Sequence, residues 1–400
     1  MKIIFLGGLF PNYLTKEIEN NSKGAIQYAA NLLQWNFIKG LDFFYKVDIV
    51  TLPYVGSFPF LYKKILLATS VFSHTTDSTD ISLGFLNLPL IKHFYRYKNA
   101  KKELIKRIQN IDEPTTIIIY SIHSPFLLAA WRAKMKYPNT RLCLIVPDLP
   151  EYMSDNKNIF YLIFKKLDSY LIKYTLKKID SFVVLTDQMA NILDIQNKPY
   201  VRIEGIFEEN NQLKTTNKEN EKVIMYSGSL ASRYGIMNLL KAFLQIDLPH
   251  YRLWICGEGD TRSEIEQLAK SNSRIKYFGQ LTQSEVFLLQ KRATVLVNPR
   301  TSAGDYTKYS FPSKTMEYLA SGTPTILHRL PGIPSEYFQY VFIAEKETAE
   351  ELKTKILEVC EKPQSELNEF GRKAQEFIYK QKNAISQVKL LSNMVNNLIA

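Results

Sequence analysis

The stretch from Tyr309 to Pro324, YSFPSKTMEYLASGTP, predicts a loop, a helix, a turn and a strand in that order. Pro312 suits the first turn of a helix, where a missing N–H costs nothing. Ser310 or Ser313 can supply the capping oxygen. Apolar residues then recur at helical spacing, and Gly322 ends the helix before the strand begins. We expect the chemistry of the chain to lie at the front of this helix.

The front of this helix has the features of a sugar-nucleotide site. The first N–H groups of a helix lack intrahelical partners and carry partial positive charge, which favours a phosphate. Lys314 adds a full charge, and Glu317 on the same face can accept two hydrogen bonds from a ribose diol. A surface helix with a Lys314–Glu317 ion pair explains the same residues equally well. The candidate nucleotide-binding residues here are Ser310, Phe311, Pro312, Ser313 and Glu317, and Lys314 is a candidate catalytic residue.

This stretch resembles the donor-binding signature of glycosyltransferase family 4, a retaining family with the GT-B fold. The signature has two glutamates eight positions apart, followed by a small-residue turn and Gly-x-Pro. Glu317 matches the second glutamate, which in the family holds the nucleotide ribose. The first glutamate, which contacts the transferred sugar, would fall at Tyr309, so the chain departs from the family there. The resemblance covers nearly the whole chain by order of elements, but its motifs lie mostly after residue 220.

Length and composition favour a two-domain globular protein. The chain has 400 residues, enough for two domains of ordinary size. Its cysteines, Cys143, Cys256 and Cys360, are far apart and odd in number, which argues against a disulfide framework and fits a reducing compartment. The apolar run at the N-terminus is too short for a signal peptide, and no run is long enough to span a bilayer. The polar segment 206–221 is the predicted linker.

A small-residue loop in the second half is a candidate phosphate site. A predicted strand over 223–226 is followed by this loop, in which Gly228 lets the backbone reach a phosphate. Arg233 can bind a phosphate through its fork of donors, although a surface arginine without a ligand is the alternative. The resemblance implies an arginine and a lysine in this loop, but they would fall at Ser229 and Tyr234. Arg233 is therefore the predicted substitute and a candidate catalytic residue.

The strands that follow also end in small or polar residues. The family resemblance implies a nucleotide contact at Gly257, which begins a Gly-x-Gly, and base contacts through the backbone at Gly279 and Leu281. A further predicted strand over 294–298 ends in Pro299-Arg300. The carboxyl ends of these strands would converge with the 309–317 loop, and this convergence is stronger support for a site than any one motif.

The first half has a Rossmann-like opening, but it lacks the G-x-G-x-x-G of a dinucleotide site. A strand over 2–6 and a loop containing Pro11 and Asn20-Asn21 precede a helix predicted from Gly24 to Lys39. Gly8 either lets a ligand approach the backbone or forms a plain tight turn.

Two polar residues follow later strands of the first half. His123 ends the strand predicted over 115–120, where open α/β sheets bind ligands, although a lone histidine is more often structural. The resemblance implies a histidine here beside the donor sugar, so His123 is a candidate catalytic residue. Asp148 has a similar position, and it could meet an acceptor hydroxyl or cap the next segment.

The positive charge of the chain is uneven. The net charge is +12, of which residues 1–205 contribute +9 and residues 206–400 contribute +3. Basic helices are predicted near 92–110 and 157–178, and the second interleaves apolar residues with lysines, as helices at anionic membrane surfaces do. A sheet-covering helix with a lysine-rich solvent face explains the same pattern. Nucleic-acid binding and simple solubility also remain open, although no nucleic-acid motif is present.

Together these observations predict an α/β protein of the GT-B class, with two Rossmann-like domains facing across a cleft. The predicted parts are an acceptor-binding domain over 1–205, a linker over 206–221, a nucleotide-sugar-binding domain over 222–380, and a helix over 381–400 that crosses back to the first domain. The last helix and retention of configuration are implied by the resemblance alone.

The predicted activity is transfer of a sugar from a nucleoside diphosphate sugar to a hydroxyl acceptor. The expected acceptor is a lipid-linked glycan in surface polysaccharide synthesis, met in the cytoplasm by peripheral contact with the inner face of an anionic membrane. The absence of an Asp-x-Asp motif predicts no obligatory metal, and no other cofactor is expected besides the nucleotide sugar as co-substrate. A sugar-nucleotide epimerase of the same fold, or a basic nucleic-acid-binding protein, is the alternative.

Overall fold

The computed structural model describes residues 1–109, 113–149, 159–208 and 216–398, with no description of the side chains of 159–165. These residues form two compact units, each with its own parallel sheet and hydrophobic core. The first unit comprises Met1–Ile206 together with Ala384–Ala400, and the second comprises Phe207–Asn383.

Seven of the sixteen residues predicted as a linker over 206–221 lie outside the described residues, namely 209–215.

The first unit is built on a sheet of buried strands. The strands of the first unit are β1 (Lys2–Gly7), β2 (Lys46–Thr51), β3 (Leu66–Leu67), β4 (Ser70–Phe72), β5 (Asp80–Ser82), β6 (Phe85–Leu86), β7 (Thr115–Tyr120), β8 (Arg141–Val146), β9 (Ser181–Val184) and β10 (Tyr200–Arg202). Of these, β3 and β6 pair with each other in a separate two-stranded sheet. The main sheet has the order β10-β9-β8-β7-β1-β2-β5-β4, and only the β4–β5 pair in it is antiparallel. Strands such as β7, TTIIIY, are buried along their whole length, as expected when helices cover both faces of a sheet.

The register of this sheet brings the ends of β1, β2 and β7 together. Lys2 of β1 lies opposite Lys46 of β2 on one side and Thr115 of β7 on the other. The chain runs from β1 to β2 and later returns to β7 on the opposite side of β1. The strand order therefore reverses at β1, and open α/β sheets bind ligands at the carboxyl ends of the strands at such a point.

Helices of the first unit differ from the prediction near the N-terminus. They are α1 (Asn12–Asn21), α2 (Tyr28–Asp42), α3 (Ile91–Ile108), α4 (Ser124–Lys136), α5 (Ile159–Leu176) and α6 (Asp187–Ile192). The prediction of a loop at α1 is wrong, because the helix buries Ile18 despite its polar sequence. The predicted start of α2 at Gly24 is also wrong, because the N–H of Lys23 donates to the carbonyl of Leu61 and holds this segment extended.

The second unit has the strand order of a doubly wound sheet. Its strands are β11 (Lys222–Ser227), β12 (Tyr251–Cys256), β13 (Ile275–Tyr277), β14 (Val295–Asn298), β15 (Thr325–Leu327) and β16 (Phe342–Ile343). They are all parallel in the order β13-β12-β11-β14-β15-β16, so the order reverses between β11 and β14. The loops after these two strands therefore lie at the position where such sheets bind ligands.

Helices with one apolar face cover this sheet. They are α7 (Ile236–Leu244), α8 (Arg262–Ser271), α9 (Gln283–Arg292), α10 (Ser313–Ala320), α11 (Ala349–Cys360) and α12 (Gln364–Gln381), with 3₁₀ turns at Ser232–Tyr234, Asp305–Lys308 and Ser335–Tyr340. In α7, Leu239, Leu240 and Phe243 are buried against the sheet. Each such side chain stabilises the unit by roughly 1.5–3 kcal/mol. The three cysteines of the chain are buried free thiols.

The last helix, α13 (Ala384–Asn397), packs on α2 of the first unit. Its Val388 and Leu391 join the core of that unit, and the hydroxyl groups of Ser392 and Tyr45 are hydrogen-bonded at 2.5 Å. Within the part of the chain that is described, no helix combines the length and the apolar character needed to cross a membrane.

Candidate functional site

Helix α10 begins without a side-chain cap. Its first residue is Ser313, Pro312 precedes it in an extended conformation, and no side chain of the described residues caps it. The prediction that Ser310 or Ser313 caps the helix is wrong, because Ser310 Oγ accepts a hydrogen bond from Arg300 Nη2 at 3.0 Å and Ser313 is already helical. The N–H groups of Ser313 and Lys314 are therefore left for an external acceptor such as a phosphate oxygen, whereas the N–H of Thr315 donates to the carbonyl of Pro312 at 2.8 Å.

Lys314 and Glu317 form an ion pair in the first turn of α10. Lys314 Nζ lies 2.9 Å and 2.8 Å from the two carboxylate oxygens of Glu317. Gln290 Nε2 of α9 donates to Glu317 Oε1 at 2.6 Å and to Ser227 Oγ at 2.9 Å. The ion pair considered as the alternative explanation is thus present in the structure. Both groups are held at the helix start, where a diphosphate and a ribose could compete for them.

Buried hydrogen bonds fix α10 to the end of β11. The hydroxyl of Tyr318, which is fully buried, donates to the carbonyl of Ser227 at 2.9 Å and accepts from the N–H of Ser227 at 2.8 Å. The next residue is Gly228, and a β-carbon there would lie 3.8 Å from Lys314 Cγ. The predicted phosphate loop and the predicted phosphate helix therefore meet.

The predicted glycines form a continuous rim of backbone. The N–H of Gly257 donates to the carbonyl of Gly279 at 2.9 Å. Gly257 has φ +140°, and a β-carbon there would collide with the carbonyl oxygen of Gly228. Only glycine fits this conformation and this approach. Gly228, Gly257 and Gly279 thus lie side by side at the carboxyl ends of β11, β12 and β13.

Two predicted site residues direct their side chains into the protein. Phe311 is buried, and its ring lies 5.2 Å from that of Tyr337. Leu281 packs on the buried cluster that contains Trp254. Only the backbone groups of these two residues could serve a ligand at the rim.

Arg300, which the sequence did not single out, lies beside Arg233. The guanidinium of Arg233 is 5.1 Å from the Tyr234 ring and 5.9 Å from the Tyr306 ring. The guanidinium of Arg300 is 5.0 Å and 4.9 Å from the same two rings. Arg300 Nε and the Tyr306 hydroxyl are buried without a hydrogen-bond partner in the described structure. Two cations at the ends of β11 and β14 fit a diphosphate.

The predicted site residues of the first unit lie at the ends of β1 and β7. The ring of Tyr54 covers Gly8, because a β-carbon on Gly8 would lie 2.5 Å from it. The Tyr54 hydroxyl is hydrogen-bonded to Ser121 Oγ at 2.7 Å and donates to the carbonyl of Tyr120 at 3.1 Å. The space beside Gly8 is thus filled by protein, and a ligand contact there stays a prediction.

His123 is a neutral, partly buried histidine. Its ring lies 4.5 Å from that of Phe126 and 5.8 Å from that of Tyr54, and its Nδ1 is buried without a partner. Burial, and then the charges of Arg96 and its neighbours, hold the pKa of His123 well below its usual range. The imidazole can therefore donate or accept a hydrogen bond at neutral pH.

Known proteins are similar to this chain in sequence family over part of its length and in fold over nearly all of it. Residues 207–377 match the family model of glycosyl transferases group 1. No curated protein matches the sequence. Among solved structures, the sucrose-phosphate synthase of Thermosynechococcus elongatus is similar, with a TM-score of 0.62 and 16% identity over 100% of this chain and 99% of that one.

Two further solved structures are similar over their full lengths. The trehalose-6-phosphate synthase OtsA has a TM-score of 0.65 and 12% identity over 99% of each chain. HepE of Anabaena, solved in complex with UDP, has a TM-score of 0.61 and 12% identity over 99% of this chain and 100% of that one. At these identities the likeness shows the fold alone. The chain thus has the predicted GT-B fold, and residues 207–377 of its second unit are similar to glycosyl transferases group 1.

Proposed function

We propose that the protein transfers a sugar from a nucleoside diphosphate sugar to a hydroxyl group of an acceptor, with retention of configuration. The observation that carries this proposal is the start of α10. There, uncapped N–H groups, Lys314 and Glu317 lie beside Gly228 of the glycine rim. The N–H groups and Lys314 can contact the diphosphate, and Glu317 can contact the ribose. These contacts fit the nucleotide end of a nucleotide sugar.

In the proposed complex each group has one role. Lys314, Arg233, Arg300 and the N–H groups of α10 stabilise the negative charge that develops on the diphosphate as it leaves. Glu317 accepts hydrogen bonds from the ribose hydroxyls, and the backbone near Gly279 holds the base. No metal ion or other cofactor enters this proposal.

The proposed acceptor is a lipid-linked glycan at an anionic membrane surface. In support, the described part of helix α5 exposes both apolar and basic side chains. Leu167 is 59% exposed and Tyr170 is 71% exposed, and Lys166 before them and Lys173 after them are exposed too. Such a surface combines the apolar contact and the positive charge that peripheral membrane binding requires.

Thermal unfolding with a panel of UDP-, GDP- and TDP-sugars tests the activity. A ligand that binds only the folded state at about a hundred times its Kd stabilises it by about 2.7 kcal/mol, so one nucleotide should raise the Tm clearly. The sugar should then appear on an added acceptor. Isomerised free nucleotide sugar would identify an epimerase instead, and no stabilisation by any nucleotide sugar at millimolar concentration would contradict both activities.

A further inference from the structure

The first unit contains a cluster of basic side chains that the proposed reaction does not use. Lys92, His93 and Arg96 come from the first two turns of α3, and His123 follows β7. The rings of His93 and His123 are 5.6 Å apart. Arg96 Cζ and the His123 ring lie 5.6 Å and 5.8 Å from the ring of Tyr54. The four side chains therefore gather at the ends of β2 and β7.

The buried cation of this cluster has no acidic partner among the described residues. Arg96 is 2% exposed, and its guanidinium lies 4.4 Å from the Phe85 ring. Its Nη2 donates to the carbonyl of Pro53 at 2.5 Å, but its Nε is buried without a partner. Among the described residues, no carboxylate forms an ion pair with Arg96 or Lys92, and the charge of Asp168 acts on His93. Burying a charge without a partner is unfavourable, and the part of the chain that is described supplies no anion to compensate this one.

The cluster is open on one side. Arg96 and His123 Nδ1 are buried, whereas Lys92 is partly exposed and His93 is exposed. Lys92 Nζ donates to the carbonyl of Val55 at 3.3 Å, a weak contact. Burial and the neighbouring Arg96 lower the pKa of Lys92 to about 8. A bound anion would relieve this repulsion and accept hydrogen bonds from groups that now lack acceptors.

We propose that Lys92, His93, Arg96 and His123 bind a phosphate group of the acceptor. Two cations and two imidazoles suit a doubly charged oxyanion, and the guanidinium fork matches its oxygens. The phosphate belongs to a sugar phosphate or to the diphosphate of a lipid-linked glycan, which share this chemistry. The inference rests on the proposed function, in which the first unit binds the acceptor.

Histidine-selective NMR reads this site directly. The chain has five histidines, so selective ¹⁵N labelling gives few signals, and His→Gln variants assign them. Inorganic phosphate, added with the donor site saturated by the nucleoside diphosphate that binds, should shift the signals of His93 and His123. The signals of His74, His250 and His328 should not move. If neither His93 nor His123 responds to millimolar phosphate, the proposal is wrong.

Variants on α3 show whether the shifts of the histidine signals come from phosphate bound at this cluster. Lys92→Gln, and separately Arg96→Lys, should weaken phosphate binding about tenfold, the ratio that corresponds to one charge-assisted hydrogen bond. Lys102→Gln is the matched control, because Lys102 is exposed on the same helix. If Arg96→Lys does not fold, Lys92→Gln decides alone. Equal phosphate affinity in Lys92→Gln and Lys102→Gln would overturn the proposal.

Titration with two phosphate ligands distinguishes the two possible sources of the acceptor phosphate. A hexose 6-phosphate and a short-chain prenyl diphosphate are titrated against the labelled protein, and the one that shifts His93 and His123 at lower concentration identifies the acceptor class. Shifts with neither ligand would contradict an acceptor site. Nucleotide binding is measured separately on the same sample. Nucleotide binding without histidine shifts removes only this site, whereas histidine shifts without nucleotide binding remove only the proposed sugar transfer.

Discussion

Glu317 contacts protein groups in the structure, and the proposed complex requires it to exchange them. Its carboxylate now holds Lys314 and Gln290. A nucleotide would draw Lys314 to the diphosphate and leave the carboxylate to the ribose. Glu317→Gln keeps the size of the side chain but removes its charge. We expect it to weaken nucleotide binding by about 1–3 kcal/mol, measured by isothermal titration with the nucleotide that stabilises the wild type.

A second ion pair in the same unit provides the control for this change. Lys355 Nζ lies 2.6 Å from Glu358 Oε2 at the same spacing on α11. Glu358→Gln should leave nucleotide affinity unchanged, because exposed pairs of this kind contribute little and this one lies outside the site. If Glu317→Gln and Glu358→Gln bind the nucleotide equally well, Glu317 does not hold the ribose.

Arg300 should matter for turnover more than for stability. Its guanidinium lies by the start of α10, where it donates to Ser310 Oγ. Removing one donor that stabilises transition-state charge typically costs about 100-fold in rate, so Arg300→Gln should lower kcat/KM by this order. Arg262→Gln, which removes an exposed arginine paired with Glu258 and Glu266, should not. A fall in Tm that accounts for the lost activity of Arg300→Gln would contradict the assignment.

At the residue scale, the sequence predicts contacts between side chains that are close together along the chain. Lys314 and Glu317 are three residues apart on one helix, so their shared face follows from helix geometry alone. Arg300 could not be recognised in this way, because its neighbours Tyr234 and Tyr306 reach it through two different loops. The contact of the Tyr54 ring with Gly8 likewise depends on the pairing of β1 with β2.

At the scale of elements, long buried strands could be predicted and short ones could not. Residues 115–120 have the predicted bounds, because continuous apolar runs of this length have few alternatives. The strands β3 to β6 have two or three residues each, too few to show a period. Helix α1 was missed because asparagines at both of its ends resemble a loop.

His74 connects two elements of the first unit and should make its stability depend on pH. Its Nε2 lies 3.1 Å from Asp42 Oδ1 of α2, and its Nδ1 lies 2.6 Å from Asp80 Oδ2 of β5. Burial alone would lower the pKa of His74, but the hydrogen bonds and charges of Asp42 and Asp80 outweigh it and raise the pKa to about 9. Since the folded pKa exceeds the unfolded one, protonation of His74 stabilises the folded state.

This contribution should be complete below about pH 6.5 and should disappear as the pH rises through about 9. We expect the free energy of unfolding of the first unit to fall by about 2–3 kcal/mol over this range, measured by urea unfolding at a series of pH values. His74→Gln should remove most of the slope. His250→Gln, a change at an exposed histidine of the second unit, should keep it. An unchanged slope in His74→Gln would show that other groups cause it.

At the scale of the whole molecule, the sequence predicts two α/β units but not the order of their strands. Each half contains its own succession of strands and helices, and this alternation predicts parallel sheets. The neighbours of β1 are β2 and β7, and the chain between these two strands spans more than sixty residues. Such pairings are decided by the crossovers and the packing of the whole unit, so no local pattern in the sequence encodes them.

Peripheral membrane binding is expected from the uneven charge of the chain and the exposed face of α5. Residues 1–205 carry a net charge of +9, and Leu167, Tyr170 and Leu171 are exposed among lysines. Each lysine near an anionic surface contributes about 1 kcal/mol, and salt screens this attraction. Sedimentation with vesicles should therefore show binding that increases with the fraction of anionic lipid and decreases with salt.

Two variants separate the apolar and electrostatic parts of this binding. Leu167→Ser with Tyr170→Ser should weaken binding at every salt concentration, because less apolar surface enters the interface. Lys166→Glu with Lys173→Glu should weaken it most at low salt, where charge attraction is least screened. Lys373→Glu, at an exposed lysine of the second unit, is the control and should bind as the wild type does. If the wild type does not sediment with anionic vesicles at low salt, the positive charge serves solubility and the acceptor is soluble.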